Sequence, residues 1–258
     1  MAVAFLFVVV AGFAIGVLSA LLGIGGGVVM IPLFRLALGL SALQCTATSL
    51  MCLVLTSVSG ATVRIRKKLC VPKLGVAIGL AGACTSPLGV WLAGKAPSWL
   101  VMATVAAIIT YSAFNMFLNS RPSAREGIPP EEFVCTGKVL VFGAGLGALA
   151  GVAAGFAGLG GGFIIVPLSM QVLHLSFKGA SGTSLVSIMA IAFSGLLAQV
   201  MSGNVVYWVG LAIALGAIPG AFVGGRLVNR FDNRALCRIF CVFLLVCAVL
   251  LVVKEACV

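Results

Sequence analysis

The segment Gly-x-Gly-Gly-Gly occurs twice in this chain of 258 residues, each time in the middle of an apolar run. Gly23, Gly25, Gly26 and Gly27 form the first copy, and Gly158, Gly160, Gly161 and Gly162 the second. Glycine interrupts a helix, and irregular backbone at membrane depth is tolerated only where protein buries it or it lines a cavity. Paired breaks of this kind therefore constrain the fold more than any other feature. They belong to an internal repeat. At a shift of 135 residues, Pro32-Leu33 meets Pro167-Leu168, Thr48-Ser49-Leu50 meets Thr183-Ser184-Leu185, and Ser59-Gly60 meets Ser194-Gly195. Over positions 12 to 60, 17 of 49 pairs are identical. Shared apolar composition gives roughly a tenth by chance, and such self-similarity marks repeated architecture.

Composition sets the medium. Hydrophobic residues make up 62% of the chain and charged residues 8%, whereas a soluble domain carries about 25% charged residues. That excludes a soluble globular enzyme, a disordered chain and a disulfide-stapled secreted domain. The net charge of +11 raises nucleic-acid binding, but the basic residues sit in short breaks between apolar runs, so that partner is excluded too. The expected partner is the lipid bilayer, with the chain as a multi-pass protein of the plasma (inner) membrane. Its N-terminus resembles a signal peptide without a basic leader region, and retention is expected.

Apolar stretches cover about 3–22, 28–40, 42–63, 74–94, 97–118, 139–157, 163–175, 179–202, 205–225 and 236–253. Crossing the hydrocarbon takes about 20 helical residues, so 28–40 and 163–175 are too short to span. The predicted fold class is all-α and polytopic. Each of two repeats is a Gly-rich re-entrant or broken-helix hairpin plus three spanning helices. The first repeat covers 1–118, a polar cytoplasmic linker 119–136, and the second repeat 137–258. Basic residues orient such proteins by favouring the cytoplasm. Four spans per half would split the 16 basic residues 9 to 7. A hairpin plus three spans places Arg64 to Lys73, Arg121 to Lys138, Lys178 and Arg226 to Arg238 inside, against Arg35, Lys95 and Lys254 outside, a split of 13 to 3. The stronger asymmetry predicts inverted halves with both termini outside. Cysteine tagging that found the C-terminus in the cytoplasm would exclude this arrangement.

The chemistry points to an anion. The five acids, Glu126, Glu131, Glu132, Asp232 and Glu255, all lie outside the apolar runs, so no carboxylate is available at membrane depth for a cation. The glycine clusters would leave free backbone N–H groups where the short helices begin, and a helix N-terminus favours negative charge. Gly-rich interruptions at matching places in two halves point to a transporter's binding site. The expected substrate-binding residues are Gly25, Gly26, Gly27, Thr48, Ser49, Gly160, Gly161, Gly162, Thr183 and Ser184. The hydroxyls would either bond carbonyls one turn back or donate to the anion. Pro32 and Pro167 are read as hinge or gating residues, with a simple kink equally open. Gly12/Gly16 and Gly147/Gly151 have the spacing of plain helix packing.

Other residues carry weaker signals. His174, the single histidine, reads as a solvated loop residue. Asn115, Gln44 and Gln199 read as interhelical glue. The run Arg64-Ile65-Arg66-Lys67-Lys68 reads as a topology signal that also attracts anionic headgroups. Nine cysteines show no C-x-x-C; Cys237 and Cys241 stand one turn apart as packing residues, and no cofactor or metal is expected. Cys45 is the candidate for a thiol relay, although its repeat counterpart is Ala180.

The doubled G-x-G-G-G-x(4)-P-L segment, each copy followed by a Thr-Ser pair, resembles the TauE/SafE family of membrane transporters, the sulfite exporter or toluene-sulfonate uptake permease family. The resemblance covers essentially the whole chain. It implies secondary transport of sulfite or an organosulfonate by a protein that is not an enzyme. Its motif falls on Gly23, Gly25, Gly26, Gly27 and Pro32, and on Gly158, Gly160, Gly161, Gly162 and Pro167. A sulfur-relay protein and an accessory membrane subunit remain the alternatives, and homo-oligomerisation stays open.

Overall fold

The computed structural model describes residues 2–119, 127–233, 235, 236, 238–240, 242, 245 and 246. Arg121, Arg125, Glu126, Arg234, Cys237, Cys241, Lys254 and Glu255 lie outside the described residues, as does most of the stretch 236–253. The Asn115 side chain is likewise outside them. The described chain is helical. It runs α1 Ala2–Leu22, α2 Gly27–Ala37, α3 Ala42–Arg66, α4 Pro72–Lys95, α5 Ser98–Asn119, α6 Gly137–Ala157, α7 Gly162–Val172, α8 Phe177–Met201 and α9 Tyr207–Leu227. No strand occurs among the described residues. One isolated parallel bridge joins Ile128 to Leu175.

The helix starts repeat. α1 to α4 begin at residues 2, 27, 42 and 72, and α6 to α9 at 137, 162, 177 and 207, a constant separation of 135. Among the described residues five helices, α3, α4, α6, α8 and α9, are long and apolar enough to cross a membrane. α2 and α7 have 11 residues each, which at a rise of about 1.5 Å per residue is about 16 Å, half the hydrocarbon thickness.

Small residues dictate how the helices pack. Gly216, Gly220 and Gly224 on α9 press on the carbonyls of Val9, Phe13 and Val17 on α1, in that order, so the two helices run parallel. Gly147, Gly151 and Gly155 on α6 press in the same way on Ile78, Gly82 and Ser86 of α4. Gly12 and Gly16, with Gly147 and Gly151, are thus packing residues, and any side chain there would enter a neighbour's backbone. Gly75 and Gly82 of α4 face Val186 and Ile191 of α8, a parallel pair, and Met51 and Val63 of α3 face Gly210 and Gly225 of α9, another. The central pair is different. Gly60 of α3 faces Leu185 of α8, while Leu50 faces Gly195, so these two run antiparallel. It follows that α1, α3 and α9 point one way and α4, α6 and α8 the other. α1, α3 and α4 are thus each opposed to the helix that starts 135 residues later, α6, α8 and α9.

These directions sort the polar residues. The C-terminal ends of α3 and α9 and the N-terminal ends of α4, α6 and α8 form one end of the bundle. Arg64, Arg66, Lys67, Lys68, Lys73, Lys138, Lys178, Arg226 and Arg230 all belong to it. The opposite end carries Lys95 and the exposed aromatics Trp91, Trp99, Tyr207 and Trp208. Amphipathic rings collect at membrane interfaces, and Lys95 Nζ sits 3.8 Å above the Trp91 ring. Between the ends, outward-facing Leu80, Leu88, Leu149, Phe193 and Leu215 are exposed. Such apolar faces suit lipid and would be a liability in water. The segment after residue 126 runs along the basic end. Ile128 N–H donates to His174 O at 2.7 Å, and Ser176 N–H donates to Ile128 O at 3.0 Å.

Candidate functional site

Both glycine loops lie at the centre, between α3 and α8. Gly23, Gly25 and Gly26 have φ of 72°, 81° and 88°, and Gly158, Gly160 and Gly161 have 69°, 78° and 80°. At Gly26 and Gly161 the left-handed conformation also forms the N-cap of α2 and α7. An L-residue there costs about 1–2 kcal/mol, which is why the motif is glycine. The first bonds of α2 run from Val29 and Met30 N–H to Gly26 O, and those of α7 from Ile164 and Ile165 N–H to Gly161 O. The N–H groups of Gly27 and Val28, and of Gly162 and Phe163, stand ahead of those ladders.

The two loops touch one another. A Cβ on Gly27 would lie 3.0 Å from Gly158 O, and one on Gly162 would lie 2.8 Å from Gly23 O. Gly25 and Gly160 both pack on Leu53 of α3 and Ile188 of α8. Leu22, Ile24, Val28, Leu159 and Phe163 are fully buried around them. The six glycines proposed from the sequence, Gly25, Gly26, Gly27, Gly160, Gly161 and Gly162, are therefore brought together in one buried cluster.

The hydroxyls have a different arrangement. Ser49 Oγ is 2.6 Å from Gly158 O and 2.8 Å from Thr46 O. Ser184 Oγ is 2.5 Å from Gly23 O and 2.8 Å from Ser181 O. Each serine thus donates to the glycine loop of the other half or to its own helix. Thr48 Oγ1 accepts from Val206 N–H at 3.1 Å, and Thr183 Oγ1 accepts from Val71 N–H at 3.0 Å. Those N–H groups belong to the N-caps of α9 and α4, so each threonine holds a helix start of the opposite half. In this conformation all four side chains are tied to backbone and buried. Pro32 and Pro167 lie inside α2 and α7, where each removes a ladder donor and frees the carbonyl of Val28 or Phe163.

Several residues of the site were not singled out from the sequence. Thr56 Oγ1 donates to Gly25 O at 3.1 Å. Cys52 Sγ donates to Gly210 O at 3.5 Å, and Ser187 Oγ makes the corresponding bond to Gly75 O at 3.0 Å. A thiol in one half thus does what a hydroxyl does in the other. Arg64 is buried completely while Arg66 and Lys68 are exposed, so the basic run is not uniformly a surface feature. The signal was present in the spacing. Leu53, Thr56, Gly60 and Arg64 continue one helical stripe at intervals of three and four. Of the amides, Gln44 Oε1 accepts from Ser41 N–H in the capping box that starts α3, and Gln199 is buried.

Among the described residues no group of His, Cys, Asp and Glu could hold a metal ion. His174 is exposed, at φ 53°. Cys45 is buried, with Sγ 3.6 Å from Leu40 O. At Cys70, burial raises the thiol above its ordinary pKa, against an opposing effect of the Arg64 charge.

Comparison with known proteins covers almost the full length. The profile of a family described as "Sulfite exporter TauE/SafE" matches residues 8–251. "Probable membrane transporter protein YdhB" of Bacillus subtilis (strain 168) is 26% identical over 224 residues, which is 87% of this chain and 90% of that protein. "Probable membrane transporter protein YunE" of the same organism is 26% identical over 247 residues, covering 88% and 89%. A "Probable membrane transporter protein" of Xylella fastidiosa (strain 9a5c) is 32% identical over 102 residues, or 39% of each chain. No solved structure matches at a significant level.

Proposed function

The chain belongs to the TauE/SafE family, and from that premise we propose that it carries a small anion, sulfite or an organosulfonate, across the plasma membrane by alternating access. The observation that carries this reading is the meeting of two left-handed glycine loops in the buried centre. Each opens a short helix whose leading N–H groups and dipole favour negative charge. Two helix N-termini from opposed halves can then hold one anion from both sides. Glu131, Glu132 and Asp232, the acids among the described residues, all lie outside the spanning helices, so no carboxylate there competes with an anion.

We read the opposed halves as inverted repeats that rock about this centre. The state described here is closed, with Gly27 against Gly158 and Gly162 against Gly23. Parting the loops separates Ser49 from Gly158 O and Ser184 from Gly23 O. The freed hydroxyls, with Thr48 and Thr183, complete the anion's shell, and the carbonyls exposed by Pro32 and Pro167 allow α2 and α7 to bend. The test is uptake of radiolabelled sulfite and of a labelled sulfonate into proteoliposomes. The wild type is expected to exceed empty vesicles. Gly26→Ala and Gly161→Ala, where a Cβ would meet no atom nearer than 3.1 Å, are expected to be recovered in detergent yet lose flux. Normal flux in both variants would discard the backbone anion site.

A further inference from the structure

Arg64 is 0% exposed. Its Nη2 donates to Ala20 O at 2.9 Å and Leu21 O at 3.1 Å, and its Nη1 to Lys178 O at 3.3 Å. Its Nε–H is buried with no acceptor. Among the described residues no carboxylate pairs with it. A buried cation that no carboxylate neutralises is costly, and Arg64, in the last turn of α3 at the basic end, is a functional candidate for that reason. Ala20 and Leu21 lie in the last turn of α1, which ends at Leu22, just before Gly23. The guanidinium therefore rests on the negative end of the α1 dipole, beside the first glycine loop.

The residue 135 positions later is Gln199 on α8. It too is 0% exposed. Its Oε1 accepts from Asn204 Nδ2 at 3.1 Å, and its Nε2 is buried with no acceptor. Because α3 and α8 are antiparallel, these two unused donors lie towards opposite ends of the bundle. One is cationic and the other neutral. Nothing about helix packing requires an unused donor at both places.

We propose that Arg64 receives the anion on the access route from the basic end, and that Gln199 is its neutral contact on the route from the aromatic end. This rests on the anion-transport reading above. When the end of α1 moves with its hairpin, the guanidinium exchanges the Ala20 and Leu21 carbonyls for two oxygens of the anion, a geometry its planar fork favours. The ligand class is a small oxyanion with at least two acceptor oxygens on one centre. Its affinity is higher from the Arg64 end, because a charge-assisted bond is stronger than an amide one.

The experiment measures sulfite flux in proteoliposomes of known orientation, with half-saturation determined from each side. Arg64→Gln is expected to raise half-saturation on the Arg64 side about tenfold or more, with less than about threefold change on the other. Arg64→Lys is expected to fall between the wild type and Arg64→Gln, because it keeps the charge but loses the two-pronged fork. Gln199→Arg lowers half-saturation on its own side. Unchanged constants in Arg64→Gln overturn the proposal while leaving anion transport standing. If Arg64→Gln does not fold, an unchanged constant in Gln199→Arg overturns it. A wild type that moves neither sulfite nor a sulfonate removes the anion-transport reading, and this inference with it.

Discussion

The two halves share a skeleton and differ in their side-chain chemistry. Both contain the left-handed glycine loop, the serine that reaches the opposite loop, and the threonine that holds the opposite helix start. Thr56, which bonds the first loop, corresponds to Ile191 in the second half, and the buried cation Arg64 corresponds to Gln199. Gly39, at φ 63° after α2, corresponds to His174 at φ 53° after α7. What is duplicated is backbone geometry and the bonds to it. What diverges is the side chains around that frame. A frame held together by backbone contacts tolerates such divergence, because those contacts do not depend on the side chains that changed.

The largest effect is expected where the loops meet the central helices. A Cβ on Gly158 would lie 2.5 Å from Thr46 Cα, and one on Gly23 would lie 2.5 Å from Ser181 Cβ. Gly23→Ala and Gly158→Ala add that clash to the conformational cost of about 1–2 kcal/mol. Both should lose most of the monodisperse protein recovered in detergent; good recovery of one alone would break the equivalence of the loops. Next come the serine links. Ser49→Ala and Ser184→Ala should each lower stability by about 1–3 kcal/mol, since each withdraws a donor from a buried carbonyl. Thermal unfolding in detergent reads both, and similar values would support a symmetric centre.

Thr56→Val should cost less, about 1 kcal/mol, because it removes a bond the second half does without. A loss as large as that of the serines would mean that the first loop depends on Thr56 more than the comparison allows. The smallest effect lies outside the centre. Gly39 has open space around its Cβ position, so Gly39→Ala isolates the left-handed penalty, about 1 kcal/mol. His174→Gly should gain about 1 kcal/mol or less, because glycine relieves the same strain but adds unfolded-state entropy. Unfolding temperatures that move in the same direction would contradict that assignment.

Much of the helix order was legible from apolar length alone, and the structure places breaks at both glycine clusters. α2 and α7 were expected to be too short to span, and each has 11 residues. The buried loop cluster was legible in part. Gly25, Gly26, Gly27 and their counterparts could be found because three glycines in a row exceed what packing needs. The partners of Thr48 and Ser49 could not, because Val206 and Gly158 lie more than a hundred residues away in sequence. Charge patterning, which runs along the chain, groups Arg64 with its basic neighbours. Its burial depends on which face α3 turns towards α1.

By itself the sequence determined the medium, the helical content, the duplicated glycine breaks and the scarcity of acids. These follow from composition and from conformational preferences that act over a few residues. Only the tertiary structure decided that the two loops touch, that each serine bonds the opposite half, and that one arginine of a basic run is enclosed. Those outcomes depend on contacts between α1 and α9, α4 and α6, and α3 and α8. Small residues let backbones approach there, and spacing along a single helix cannot specify which backbone arrives.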